Sequence, residues 1–254
     1  MRLMLHDAPD PAIRAALMAR IDRYNDDASL RREPERRLSI VLRDAAGVVE
    51  GGLVGVSYYD WLIVEMLFVP EGLRGHGMGT RLMRAAEAVA AARGCVGVWV
   101  DTGSPDARAF YLRLGYEVFA TLPDQPRGHA RWWLRRVGPR AGELVGLEVH
   151  EARDAAATAV IGQGLNVVAD TLFGRDAGRA TLAVTAEDAA GQAQGGLWML
   201  VRRDWLFLDL FILAEGARRG GVGKRILAMA EDVARARGCV GVWLDSFGFQ
   251  APGF

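Results

Sequence analysis

Cysteine is scarce in this chain: Cys95 and Cys239 are the only two in 254 residues. Two thiols make no disulfide framework. Long apolar runs are missing as well. The most apolar stretch, 205–214, is cut by Asp209 and is far shorter than the ~20 residues a bilayer span needs. The opening MRLMLHDAPDP has no apolar h-region, which reads against a signal peptide. Neither charge is in excess: 31 Lys and Arg balance 31 Asp and Glu. Nothing in that balance favours nucleic acid or an anionic membrane as a partner. No His/Cys cluster suggests a metal. These absences leave a cytoplasmic globular protein as the expectation, and 51% hydrophobic with 24% charged residues is ordinary for one. Two phosphate fingerprints fail too. No Gly-Lys pair has the earlier glycine a P-loop needs, and G-x-G-x-x-G is broken where Thr80 stands in the third glycine's place.

What is present is a strand, a glycine-rich turn and a helix in residues 65–93. The apolar run Met66, Leu67, Phe68 and Val69 stops at Pro70 and Gly72. Arg74-Gly75-His76-Gly77-Met78-Gly79-Thr80 follows, then an alanine-rich segment with Leu82, Ala86, Val89 and Ala90 at helical spacing, ending at Gly94. Such a turn leaves backbone N–H groups without partners at the positive end of the helix dipole, a site for a phosphate. Glycine at 77 and 79 keeps a Cβ out of the ligand's way.

A shift of 144 places aligns the chain with itself without a gap, and from Gly52 to Phe110 about 26 of 59 positions are identical. Asp60-Trp61-Leu62 recurs as Asp204-Trp205-Leu206. Arg74, Gly77 and Gly79 recur as Arg218, Gly221 and Gly223, and residues 93–99 recur at 237–243. The period is that of a whole domain. Phe254 falls on Phe110, so residues 111–144 have no counterpart in the second copy. A second sheet without closing strands would leave an edge that needs cover.

The pattern R-x-x-G-x-G at Arg74, Gly77 and Gly79, set between strand and helix and repeated, resembles the GNAT superfamily of acetyl-CoA-dependent N-acetyltransferases. The order of elements matches that fold. Strands are expected at 1–6, 38–42, 52–59, 61–69, 95–101, 116–120 and 130–137, and helices at 11–24, after the glycine loop, and at 105–114. Residues 25–37 read as an irregular segment near the acceptor site, with a part-helical reading left open. The helix at 11–24 carries Ile13, Leu17 and Ile21 on one face. Strands 52–59 and 61–69 should pair antiparallel, and 61–69 should run parallel to 95–101 across the crossover helix. The expectation is an α/β protein with mixed sheets: two tandem GNAT-like acyltransferase domains, 1–137 and 147–254, joined by a linker at 138–146. The second would lack its C-terminal strands.

The resemblance also assigns roles. Backbone amides from Gly75 to Thr80, through His76, Gly77, Met78 and Gly79, would hold the pyrophosphate of acetyl-CoA, with Arg74 adding a cation. In the second copy Arg218, Gly221, Val222, Gly223 and Lys224 would do the same. The acyl-pantetheine would lie between the strands ending near Val69 and Asp101, against Met66, Leu67, Phe68 and Val69. Glu65 would act as general base on the acceptor ammonium, because only a neutral amine attacks a thioester. An amide of Met66 or Leu67 would polarise the carbonyl. The plain alternative is that Glu65 binds a cationic acceptor or faces solvent. Its counterpart is Asp209. Tyr111 resembles the GNAT tyrosine that protonates the leaving thiolate; the alternative is a core aromatic beside Phe110 and Leu114. His76 reads as a loop residue, since Gly220 replaces it in the second copy. Cys95, Cys239, Trp99 and Trp243 read as core.

The function this implies is transfer of an acetyl group from acetyl-CoA to a primary amine of a small molecule, by direct attack. Asp60, Glu65, Asp101 and Asp106 would mildly favour a cationic acceptor. Acetyl-CoA and an amine are the expected partners, with neither nucleic acid nor membrane, and with homodimerisation open. Both copies are expected to bind acetyl-CoA and the first to transfer efficiently. The rival is a non-catalytic acyl-CoA-binding or sensing protein in which duplication kept the ligand loop and lost the chemistry.

Overall fold

Twelve strands and five helices are formed among the residues described by a computed structural model of the chain, which are 1–28, 34–142, 144 and 146–250. In chain order they are β1 (Arg2–Asp7), α1 (Pro11–Ala28), β2 (Arg36–Arg43), β3 (Val49–Tyr58), β4 (Trp61–Phe68), α2 (Met78–Ala92), β5 (Gly97–Thr102), α3 (Pro105–Arg113), β6 (Glu117–Pro123) and β7 (Ala130–Val137). The second repeat follows with β8 (Glu148–His150), α4 (Ala155–Phe173), β9 (Ala180–Glu187), β10 (Ala193–Arg202), β11 (Trp205–Leu213), α5 (Val222–Ala236) and β12 (Gly241–Trp243). Local chemistry explains the boundaries. Ser104 accepts a hydrogen bond from Ala107 N with Pro105 at the first helical position, which starts α3. Gly94 stands at φ +76° and stops α2. α1 runs four residues past the expected Tyr24, and residues 29–33 of the segment read as irregular lie outside the described residues.

The chain divides into two units, and each contains elements of both repeats. This corrects the expected boundaries. The first-repeat unit is a seven-stranded sheet in the order β6-β7-β5-β4-β3-β2-β8. β3 and β4 pair antiparallel and β4 and β5 parallel, as expected. Its edge strand β8 comes from the second repeat, pairing Ser39 with His150 and Val41 with Glu148. The second-repeat unit is a five-stranded sheet in the order β1-β9-β10-β11-β12, and its edge strand β1 comes from the first repeat, pairing Leu3 with Ala186 and Leu5 with Val184. The N-terminal strand and helix are therefore exchanged reciprocally. The turn segment Asp124–Gly128 also belongs to the second-repeat unit, where Trp205 Nε1 donates to Asp124 O at 2.6 Å.

Each sheet is covered on both faces. In the first-repeat unit Leu38, Ile40, Leu53, Leu62 and Val64 meet Leu82, Ala86 and Val89 of α2. On the other face Val41 and Val54 meet Ala157 and Ile161 of α4, with Met66 and Phe68 packed alongside. A Cβ on Gly164 would lie 2.5 Å from the Phe68 ring, so glycine is what lets α4 sit this close to β4. The second-repeat unit follows the same plan. Ile13, Leu17 and Ile21 of α1 pack on Ala183, Trp198 and Leu210, the face anticipated from their spacing, and Ile226, Ala230 and Ala234 of α5 pack on the opposite side.

α4 is long and apolar enough by composition to cross a membrane, with mean hydropathy 1.2 over its best window. A search for uninterrupted large apolar side chains passes over it, because alanine and glycine supply much of its length.

Candidate active site

Strand parity locates the first site residue. Leu62 and Val64 face α2, yet beyond them Leu67 and Val69 face α2 while Met66 and Phe68 face α4. Side chains alternate strictly along a strand, so one residue must be extra. The register places it: Gly55 pairs with Val64 and Val54 with Met66, leaving Glu65 as a β-bulge. The second-repeat unit repeats the device, with Met199 opposite Leu208, Trp198 opposite Leu210, and Asp209 left over. The bulge also marks where two strands part. The parallel ladder of β4 and β5 runs from Trp61–Gly97 to Val64–Val100 and stops. Glu65–Phe68 and Asp101–Thr102 continue without pairing to one another, while β5 stays paired with β7 as far as Thr102–Trp132. A cleft opens between β4 and β5 at their carboxyl ends, with Glu65 at its apex.

The glycine loop stands beside β4. A short turn at Glu71–Leu73 leads to Arg74, whose Nε donates to Val69 O at 2.9 Å and ties the loop to the strand end. Part of the Arg74 donor set is thus spent on the protein backbone. Gly75 and Gly77 take left-handed φ of +77° and +78°, and Gly77 is the N-cap of α2 with no side-chain cap bond. The helix start is left to whatever acceptor approaches it. A Cβ at Gly75 or Gly77 would meet no atom within 4 Å, whereas one at Gly79 would lie 3.3 Å from Phe110 Cζ. Gly77 is thus required by backbone conformation, and Gly79 by the packing of α3 on the helix start. The loop fits a diphosphate: paired N–H groups at a helix N-terminus, glycine at the left-handed positions, and open space above.

The second copy reproduces this backbone. Arg218 Nε donates to Leu213 O at 2.9 Å, and Gly221 caps α5 at φ +75°. Arg219 replaces Gly75 yet keeps φ +64°, a conformation that costs a non-glycine residue about 1–2 kcal/mol. The guanidinium of Arg218 lies 5.1 Å from the centroid of the Tyr24 ring. Val222 and Gly223 are buried in the first turn of α5, and Lys224 follows them on the exposed side.

Tyr111 lies on α3 in the core of the first-repeat unit, 4% exposed, between the rings of Phe110 and Tyr116. Burial, reinforced by the Asp101 carboxylate, pushes its phenol far above the ordinary tyrosine range. Tyr111 is therefore an enclosed and firmly protonated group of the core. His76 is exposed in the loop, and Cys95 is buried in the core, as expected of both. Among the described residues no group of three or more His, Cys, Asp or Glu side chains could hold a metal.

Two of the four acids expected to attract a cation, Glu65 and Asp101, are paired with arginines. Arg153 Nη2 lies 2.7 Å from Glu65 Oε2 and Arg37 Nη1 3.6 Å from Glu65 Oε1. Arg131 is paired with Asp101. In the second-repeat unit Arg14 of α1 reaches Asp209 at 3.0 Å. Sequence reading missed Arg153 and Arg14, because each belongs to the repeat other than the one whose strand it serves.

Comparison with known proteins agrees with this geometry. The acetyltransferase (GNAT) family matches residues 4–116 and 164–251. An acetyltransferase of Agrobacterium fabrum is 36% identical over 136 residues, spanning 54% of this chain and 98% of the relative. Blasticidin-S acetyltransferase of Streptomyces morookaense is 40% identical over 123 residues, 44% of this chain and 90% of the relative. A crystal structure from Agrobacterium tumefaciens, provisionally classed as an acetyltransferase, has a TM-score of 0.52 at 36% identity and covers 54% of this chain and 99% of its own. The family match over most of both repeats, with the loop and the cleft in place, makes this chain a member of the acetyltransferase (GNAT) family, an acyltransferase whose acyl donor is acetyl-CoA.

Proposed function

We propose that the first-repeat unit transfers the acetyl group of acetyl-CoA to a primary amine of a small molecule. The observation that carries this reading is the Glu65 bulge at the apex of the β4–β5 cleft, beside a helix N-terminus capped by a left-handed glycine. Amides from Gly75 to Thr80 receive the diphosphate, and the thioester runs into the cleft against Met66–Val69. Glu65 takes a proton from the acceptor ammonium, directly or through water. The amine nitrogen then bonds to the carbonyl carbon, an amide of Met66 or Leu67 steadies the oxyanion, and the carbon–sulfur bond breaks as the proton shed by the nitrogen on becoming an amide passes to the departing thiolate. Tyr111 keeps its proton across the working pH range, so it serves the departing sulfur as a hydrogen-bond donor. A relative whose name gives blasticidin-S as its acceptor supports a small-molecule amine here. The test is thiol release from acetyl-CoA across an amine panel: turnover with at least one amine is expected, and saturable binding without release above hydrolysis would overturn the reading.

A different reading fits the second-repeat unit. It keeps the loop backbone and the bulge acid, with Gly221 capping α5 and Asp209 left over opposite β10. That supports acetyl-CoA binding there as well.

A further inference from the structure

Glu65 and Arg153 meet at the cleft apex, and the surroundings fix how Arg153 is presented. Ser39, fully buried on β2, donates from its hydroxyl to Ala152 O and accepts from Asp154 N, both at 2.9 Å. The two residues flanking Arg153 are thus fastened to one buried atom, and Asp154 in turn caps α4 through Ala157 N at 2.8 Å. The backbone under Arg153 is rigid, while its side chain is 42% exposed and Glu65 29% exposed. An ion pair this accessible to water contributes little to stability, so opening it costs little. A fixed backbone carrying a cheaply opened pair is the form of a receptor rather than of a brace.

The second-repeat unit supplies an independent observation. There the bulge acid Asp209 is also met by an arginine of the exchanged element, yet Arg14 is not the repeat equivalent of Arg153. Position 153 corresponds to Pro9, and position 14 to Thr158. The same pairing reached from different positions marks it as a property of the site.

Building on the amine-transfer reading above, we propose that the Glu65–Arg153 pair is a receptor for a zwitterionic acceptor, an amine that also carries a carboxylate. The ammonium replaces Arg153 at Glu65, and the carboxylate takes the guanidinium so released, with Arg37 beside it. A bound zwitterion exchanges one ion pair for two, whereas a simple amine exchanges the Arg153 pair for a single new one. The planar fork of arginine suits a carboxylate better than an ammonium would.

The experiment compares matched acceptors on the full chain by thiol release: L-lysine, L-lysinamide and 1,5-diaminopentane, and β-alanine against β-alaninamide and ethylamine. The carboxylated member of each set is expected to lead by about tenfold or more in kcat/KM, as one charge-assisted pair allows. Arg153→Gln should bring that ratio close to one, mainly by raising KM for the acids, and Arg153→Lys should keep part of it. Thermal melting should be unchanged in both variants. Equal rates for acids and amides in the unaltered protein, or a preference that survives Arg153→Gln, would overturn the proposal while leaving amine transfer standing. Absence of release with every amine would overturn both.

Discussion

Arg237 Nη2 lies 2.9 Å from Asp7 Oδ2, and the residues one repeat away, Arg93 and Glu151, lie 3.6 Å apart. In each pair an arginine at the end of one repeat's helix meets an acid at the end of the other repeat's first strand. The same charge complementarity recurs at both copies of one position, and each pair joins an exchanged strand to the helix of the other repeat.

The two arginines should nevertheless differ in weight. Arg93 is 2% exposed and donates to Arg36 O, Arg37 O and Ser57 Oγ as well as pairing with Glu151. Arg93→Ala would leave those acceptors without a donor, and a loss of about 2–4 kcal/mol in the unfolding transition of the first-repeat unit is expected. Arg237→Ala removes a more exposed pair and should cost no more than about 1 kcal/mol. Urea melts of both variants check the asymmetry; equal effects would refute it.

Gly77→Val places a branched side chain where φ is +78° and where the diphosphate is expected to lie. The conformational cost is about 1–2 kcal/mol, small enough for the fold to persist. Turnover should fall to background while circular dichroism is retained. If activity persists, the second-repeat loop is the working one.

Tyr111→Phe removes a hydroxyl that has no hydrogen-bond partner among the described residues. Stability should change by less than about 1 kcal/mol, since no bond is lost. The maximal rate should drop while acetyl-CoA affinity holds. Because burial raises the phenol well above its usual range, the pH–rate profile should show no limb from this group up to about pH 10. An unchanged maximal rate would remove Tyr111 from the chemistry.

Glu148 on the exchanged strand β8 is gripped by Arg43 of β2, with Nε at 2.7 Å. The hydrogen bonds from Arg43 and then His150 hold its carboxyl down at about 2, against 4.5 without partners. A carboxyl depressed on folding stabilises the folded state above its unfolded value, and the contribution fades as pH falls through about 2. Glu148→Gln should therefore be less stable than the parent at neutral pH and converge with it near pH 2. Parallel stability curves across that window would refute the linkage.

The glycine loop, the doubled chain and nearly every strand were legible in the letters, because each rests on local periodicity or on a repeated motif. The Glu65 bulge was not, since Leu62–Phe68 reads as an apolar run interrupted by one acid, whose faces are assigned only once the register is known. The exchange was out of reach for a stronger reason. β1 and β8 are repeat equivalents with similar patterns, so either could pair with either sheet, and a gapless self-alignment is indifferent to the choice. Arg153, 88 residues from Glu65, could be assigned to that site only after the choice was made. The expectation of a cationic acceptor counted Asp60, Glu65, Asp101 and Asp106, and the arginines that pair with Glu65 and Asp101 were likewise not legible before the topology was known.

The reciprocal exchange ties the two halves together as lineages. Gene duplicates ordinarily drift apart, one copy preserving the original task while the other accumulates change. Here the sheet of residues 36–137 is completed by residues 148–173, so relaxation of the second copy would erode the first. The second half has a reason to be kept intact that is independent of any turnover of its own.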